Sequence, residues 1–274
     1  MDILKKDIRK PIVSGLFYPD NPEELKAKIE ALMNGCPRGD AAVILCPHGT
    51  WDKTGESLGA AFAAASEFKP DRVLLLGPVH REKDRRVLYL SSKKYFETAL
   101  GFVNVDSSAA LSLTEKSDLF VFDDSPHMEE HALELQIPFI QTLFPQVEII
   151  PLLLGGLKRS DLKKAAGTLK QRLFTPDKKI LVVLSANLSR YGLASQTEAE
   201  AQRLLDNLEM PLKRSLKELE TEGLISSCGT ALLTLLSDLG ILQDKTLHIL
   251  KRDKTELLDR GELKAVYYAG ISWS

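Results

Sequence analysis

Short apolar runs that stop at Gly or Pro recur along this chain, separated by longer amphipathic stretches. Ala41-Ala42-Val43-Ile44-Leu45-Cys46 runs into Pro47-His48-Gly49, and Arg72-Val73-Leu74-Leu75-Leu76 runs into Gly77-Pro78-Val79-His80. Neither run alternates apolar with polar residues, so both faces of each strand must be covered, as in a parallel sheet. Strands are expected near 41–46, 72–76, 86–90, 147–154, 179–184, 246–250 and 264–272, with helices near 56–66, 129–143, 159–173, 196–219 and 227–239. That order describes an α/β protein with a mostly parallel central sheet and helices on both faces. With no linker-like tract and no internal repeat, residues 1–274 are expected to form one domain. The last run, 264–272, could instead be an antiparallel edge strand.

One further helix is marked by its start. Asn21 can cap it, Pro22 suits its first position and Glu23-Glu24 suit the dipole; Leu25, Ile29, Leu32 and Met33 then follow at helical spacing up to Gly35. The charge balance, 36 Lys plus Arg against 38 Asp plus Glu, gives a net charge of -2 without any basic patch. Nucleic-acid binding is therefore not expected, and a small-molecule or peptide ligand suits the chain better. The N-terminal residues carry no signal-peptide core and no apolar stretch reaches membrane-spanning length, so a cytoplasmic, membrane-free location is expected. Cys36, Cys46 and Cys228 are too few and too widely spaced for a disulfide framework.

Ligands of open α/β sheets sit beyond the carboxyl ends of the strands. His48 and His80 each follow such an end, and two neutral imidazoles on neighbouring strand ends could chelate one ion, or could be ordinary hydrogen-bonded loop histidines. Cys228 opens an expected helix in Ser226-Ser227-Cys228-Gly229, where the dipole favours the thiolate; it suits a metal ligand, a nucleophile or a small packing residue. His127 and His131, in His-x-x-Glu-His order, resemble the inverted metalloprotease signature, which would need a third acidic ligand downstream. Gly55-Glu56-Ser57-Leu58-Gly59 matches the nucleophile-elbow pattern literally, but no strand immediately precedes it, and a closely packed helix start explains it better. Gly155-Gly156 belongs to no nucleotide-binding fingerprint. Ser185 to Gly192 should place polar side chains over the sheet's carboxyl edge, to bind a polar ligand or cap the next helix.

Taken in order, Gly15-Leu16-Phe17-Tyr18-Pro19, Pro47-His48-Gly49, Leu76-Gly77-Pro78-Val79-His80, Glu130-His131-Ala132-Leu133-Glu134, Ile137-Pro138-Phe139, Ile150-Pro151, the Ser185–Gly192 segment and Cys228-Gly229 resemble the Memo-like family, also called AmmeMemoRadiSam system protein B. The resemblance implies a fold like that of class III extradiol dioxygenases, and a pocket lined by His48, His80 and Cys228. It also implies a functional link to a radical-SAM protein. Where the family usually has Pro-His-Ala-Gly-Tyr, this chain has Pro47-His48-Gly49-Thr50-Trp51; where it usually has Ser-x-Asp-Leu-Ser-His-Tyr-Gly, this chain has Asn187 and Arg190. An acid and an imidazole are thus exchanged for an amide and a permanent cation, which removes the groups best suited to acid/base work and leaves a possible clamp for carboxylate or phosphate.

Three functions compete on these residues. The first is a Memo-like protein binding a transition metal (copper, iron or zinc) through His48, His80 and Cys228, with ring cleavage lost or altered. The second is a metal-independent binding module for a peptide or an anionic small molecule, its pocket walled by Tyr18, Trp51, Asn187 and Arg190. The third is an active oxygenase, for which His131 is the remaining candidate catalytic imidazole.

Overall fold

The computed structural model describes residues 6–81, 85–208 and 215–274. In chain order, strand β1 (Ile8–Arg9) is followed by helix α1 (Pro22–Met33), β2 (Val43–Cys46), α2 (Trp51–Ala64), β3 (Arg72–Pro78), β4 (Leu88–Leu90), β5 (Tyr95–Thr98) and β6 (Gly101–Val105). Next come α3 (Ser107–Lys116), β7 (Phe120–Phe122), α4 (Asp124–Glu129), a 3-10 turn (Glu134–Gln136), α5 (Ile137–Leu143), β8 (Glu148–Leu154), α6 (Arg159–Leu173) and β9 (Ile180–Ser185). The last part carries β10 (Gly192–Leu193), α7 (Ala194–Asp206), α8 (Leu216–Thr221), α9 (Thr230–Leu239), β11 (Leu247–Asp259) and β12 (Glu262–Trp273).

All twelve strands join one mixed sheet, with a main order of β1-β5-β6-β8-β3-β9-β2-β12-β10. Its centre, β6-β8-β3-β9-β2, is parallel throughout. The reason is visible in the strand sequences. Ile44, Val73, Leu75, Leu181 and Val183 pack against α1, α2 and α5 on one face, while Val43, Leu45, Leu74, Leu76, Val182 and Leu184 pack against α6, α7 and α9 on the other. Successive residues point to opposite faces, so an unbroken apolar run fills two cores at once. The expected α/β class and mostly parallel sheet are therefore found.

Several boundaries differ from the sequence expectations. The helix expected from 56 starts at Trp51 and contains the elbow-like Gly55 to Gly59; a Cβ on Gly59 would lie 2.2 Å from the Leu32 carbonyl oxygen, so the glycine serves helix–helix contact. The expected 129–143 helix is broken, because Glu130 and Glu134 turn inward to charged partners and Pro138 starts a new helix. The expected 196–219 helix becomes α7 and α8, and its stretch over 209–214 lies outside the described residues, as do residues 1–5 of the N-terminal reading. The strand expected at 246–250 continues to Asp259 and pairs along its length with β12 across Arg260 and Gly261, whose φ values of 51° and 82° fit a primed hairpin turn. β12 is antiparallel, but interior: it has β11 on one side and β2 and β10 on the other.

Candidate metal centre

β2, β9 and β3 are neighbours, with Cys46 level with Ser185 and Leu76 level with Leu184. The residues immediately beyond these strands, His48, Asn187 and His80, therefore emerge side by side at one rim. α9 approaches the same rim from its covering layer, which brings Cys228, just ahead of the helix, onto it. One ligating atom from each of His48, His80 and Cys228 lies within 4.8 Å of the others, although 180 residues separate the first from the last.

Hydrogen bonding fixes how each imidazole presents itself. Ser185 Oγ lies 2.7 Å from the Ala132 carbonyl oxygen, which can only accept, so the serine spends its one proton there. It must then accept from Gln136 Nε2 at 3.2 Å and from His48 Nδ1 at 3.0 Å. The Nδ1 of His48 is thus a donor, and its Nε2 faces Cys228 Sγ at 3.5 Å. At His80 the buried Glu130 carboxylate, an acceptor only, takes both the backbone N–H and Nδ1–H at 2.9 Å each. Both rings accordingly direct Nε2 to the shared space, the arrangement that second-layer partners impose on metal-binding histidines.

Charge follows the same geometry. Hydrogen bonds to Cys228 and Glu130 raise the His80 pKa to about 9, overcoming the opposing effect of burial. Burial pushes the Cys228 thiol up, but His48 and His80 and the Asn187 N–H at 3.3 Å bring it down to about 5. Burial likewise raises Glu130, which its His80 and Ala132 hydrogen bonds nevertheless hold at about 2. The rim therefore holds a thiolate, an imidazolium and a carboxylate at neutral pH.

His131 is the third imidazole here. Its ring stacks on His80 with centroids 5.5 Å apart, stands 5.8 Å from His48, and touches Phe17 edge-on. Its Nδ1 lies 3.3 Å from Glu130 Oε1, and burial lowers its pKa to about 4, so it is neutral. It forms a second possible metal-holding group with His80 and Glu130, but Glu130 already occupies the Nδ1 of His80.

Beside the rim opens a cavity of about 490 Å³, whose wall includes His80, Cys228, Asn187 and Arg190. Tyr18 and Trp51, expected to wall the pocket, do not line this cavity. They are buried against each other, with Trp51 also packed on Phe139, because Trp51 begins α2 and its ring turns into the core.

A model of the Memo-like protein family matches residues 9–272. The chain belongs to this family. The Memo-like chain is 30% identical over 243 residues to a "MEMO1 family protein" of Desulfurococcus amylolyticus, covering 81% of this chain and 83% of that protein. Proteins given the same name in Nitrosopumilus maritimus and Sulfolobus acidocaldarius are 27% and 28% identical, each over 81% of this chain and 83% and 84% of their own lengths. Among the described residues, no helix of this Memo-like protein is long and apolar enough to cross a membrane.

Sequence reasoning places Ser185 at the rim but not its hydrogen bond to His48, and it misses Gln136 and the inward role of Glu130, although Glu130 stands directly before His131 in one of the family-like segments. It pairs His127 with His131, but α4 ends at Glu129 and the two diverge. His127 is buried, with Nε2 donating to the Tyr89 carbonyl at 3.1 Å, and desolvation lowers its pKa to about 4. The unfolded chain binds that proton near pH 6.5 and the folded one only near 4, so this contribution is complete above pH 6.5 and is lost as pH falls towards 4. The shift corresponds to about 3 kcal/mol. Urea unfolding at pH 7 and pH 4.5 should show a smaller pH-dependent loss for His127→Gln than for the unaltered protein; identical losses would contradict this role.

Proposed function

We propose that this Memo-like protein binds one transition-metal ion through His48 Nε2, His80 Nε2 and Cys228 Sγ. The observation that carries this reading is the double tautomer lock: Ser185 and Glu130 each take an Nδ1–H and leave the two Nε2 atoms directed at the thiolate. Two imidazoles and a thiolate make a softer donor set than two imidazoles and a carboxylate, so copper and zinc compete well with ferrous iron. An ion bound here supplies Lewis acidity and, for copper or iron, a redox centre. Binding displaces the Nε2 proton of His80 and should therefore be weaker at low pH.

The chain's own residues support an altered rather than an unchanged oxygenase. Asn187 is an amide whose oxygen already accepts from the His48 backbone N–H at 3.1 Å, and the Arg190 guanidinium is a donor only, so neither supplies a base. Among the described residues of the rim, His131, neutral and beside both histidines, is the imidazole left to accept a proton from a bound molecule. Stripped protein reconstituted under reducing conditions with copper(I), zinc(II) or iron(II) should hold one equivalent of at least one of them by elemental analysis. Failure to retain any of the three would end this reading.

A further inference from the structure

The cavity beside the rim has walls of two kinds. Val79, Leu154, Leu157, Leu232 and Val266 offer an apolar surface, whereas its polar side includes the donors Asn187, Arg190 and Lys217, with the Cys228 thiolate at the rim end and Glu220 beside Lys217. The Oδ1 of Asn187 is committed to His48 N–H, which fixes the amide's orientation and leaves Nδ2 as its remaining arm. Arg190 is anchored through its backbone, whose N–H donates to the Ser226 carbonyl at 2.8 Å. Its guanidinium has no hydrogen bond or ion pair among the described residues. Lys217 adds a second cation, although Glu220 on the next turn partly neutralises it. Of the carboxylates that share a wall with Arg190, Glu220 pairs with Lys217 and Glu200 accepts from Gln196 Nε2 at 3.2 Å; Glu200 feels the Arg190 charge but makes no ion pair with it among the described residues, so the guanidinium stays open to a ligand.

We infer that this cavity binds an amphipathic organic acid, its anionic group clamped by Arg190 and its apolar body lying on the Leu154, Leu157 and Leu232 wall. Guanidinium presents parallel N–H groups that match carboxylate or phosphate oxygens, and an imidazole at position 190 would not. The volume of about 490 Å³ falls within the range of small-molecule sites. An apolar wall with one strong anion partner selects a compact acid over a peptide with charges along its length. Metal binding and acid binding share the cavity, but the clamp does not depend on the ion.

Phenylacetate, phenyl phosphate and phenethylammonium, titrated calorimetrically into chelator-stripped and metal-loaded protein, test this inference. The two anions should bind and the ammonium should not, in both forms of the protein. The better of the two anions reports whether the natural head group is carboxylate or phosphate. A charge-assisted hydrogen bond lost in Arg190→Gln should weaken anion binding about ten- to hundredfold, with Arg190→Lys intermediate. Equal affinity in Arg190→Gln, or ammonium binding as tightly as the acids, would overturn the assignment. If the protein takes up no metal but still binds the anions through Arg190, the metal reading alone is lost.

Discussion

A His48→Ala, His80→Ala double variant is expected to retain no transition metal after reconstitution, while remaining folded. The two imidazoles are two of three available donors, and a protein-held tetrahedral ion needs at least three. The apolar strands beneath are untouched by the change, so circular dichroism should stay close to that of the unaltered protein, while the metal-free melting temperature falls because the buried Glu130 loses its His80 partner. Glu130→Gln provides a graded companion. A neutral amide in that position no longer enforces the Nδ1–H form of His80, and loss of such a supporting partner lowers metal affinity about 10- to 100-fold. Metal-dependent stabilisation gives a second readout, since a ligand at 100 times its dissociation constant adds about 2.7 kcal/mol. The double variant should lose that increment and Glu130→Gln should keep part of it. Equal metal content in the double variant and the unaltered protein would mean that the ion sits elsewhere.

The features legible in the sequence are those with a local cause. Val43 to Cys46 and Arg72 to Leu76 can be read as doubly buried strands because burial on two faces leaves no room for polar residues. His48 and His80 can be read as rim residues because the chain must leave a parallel strand at its carboxyl end. Cys228 requires the start of α9 to reach the same rim, and in the structure it does. What the sequence hides depends on partners far along the chain. Helical spacing predicts one helix through Glu130 and Glu134, yet each carboxylate is drawn inward, Glu130 by His80 fifty residues earlier and Glu134 by Arg9 at a separation of 125. The outer half of β11, rich in Lys, Asp and Glu and with only the exposed Leu257 and Leu258 apolar, has no alternating apolar pattern because its stability comes from pairing with β12. Trp51 misleads for a related reason: an aromatic next to a histidine motif suggests a pocket wall, whereas the helix it begins turns it towards Phe139.

Replacing Arg9 with methionine should cost this protein more stability than any substitution at the His48–His80–Cys228 rim. Arg9 is a fully buried cation whose Nη1 pairs with the equally buried Glu134, while its Nε and Nη2 donate to the carbonyls of His127 and Glu130 at 2.9 Å each. Glu134 in turn accepts from the backbone of Ile12 and Val13 and from the Tyr18 hydroxyl. Removing the guanidinium leaves a buried carboxylate without its countercharge, and breaking such a pair costs about 3–5 kcal/mol. That is a large part of the roughly 5–15 kcal/mol typical of a folded domain. Urea unfolding should show the midpoint falling with little change in slope. In a double-mutant cycle with Glu134→Gln, the two losses should add to clearly more than the double variant loses, because the second substitution removes the stranded charge. Strict additivity would show that the pair does not act as a unit. The same change should also weaken metal binding: Arg9 holds the Glu130 carbonyl, and the Glu130 carboxylate holds His80, so loosening the buried cation loosens the ligand it supports at one remove.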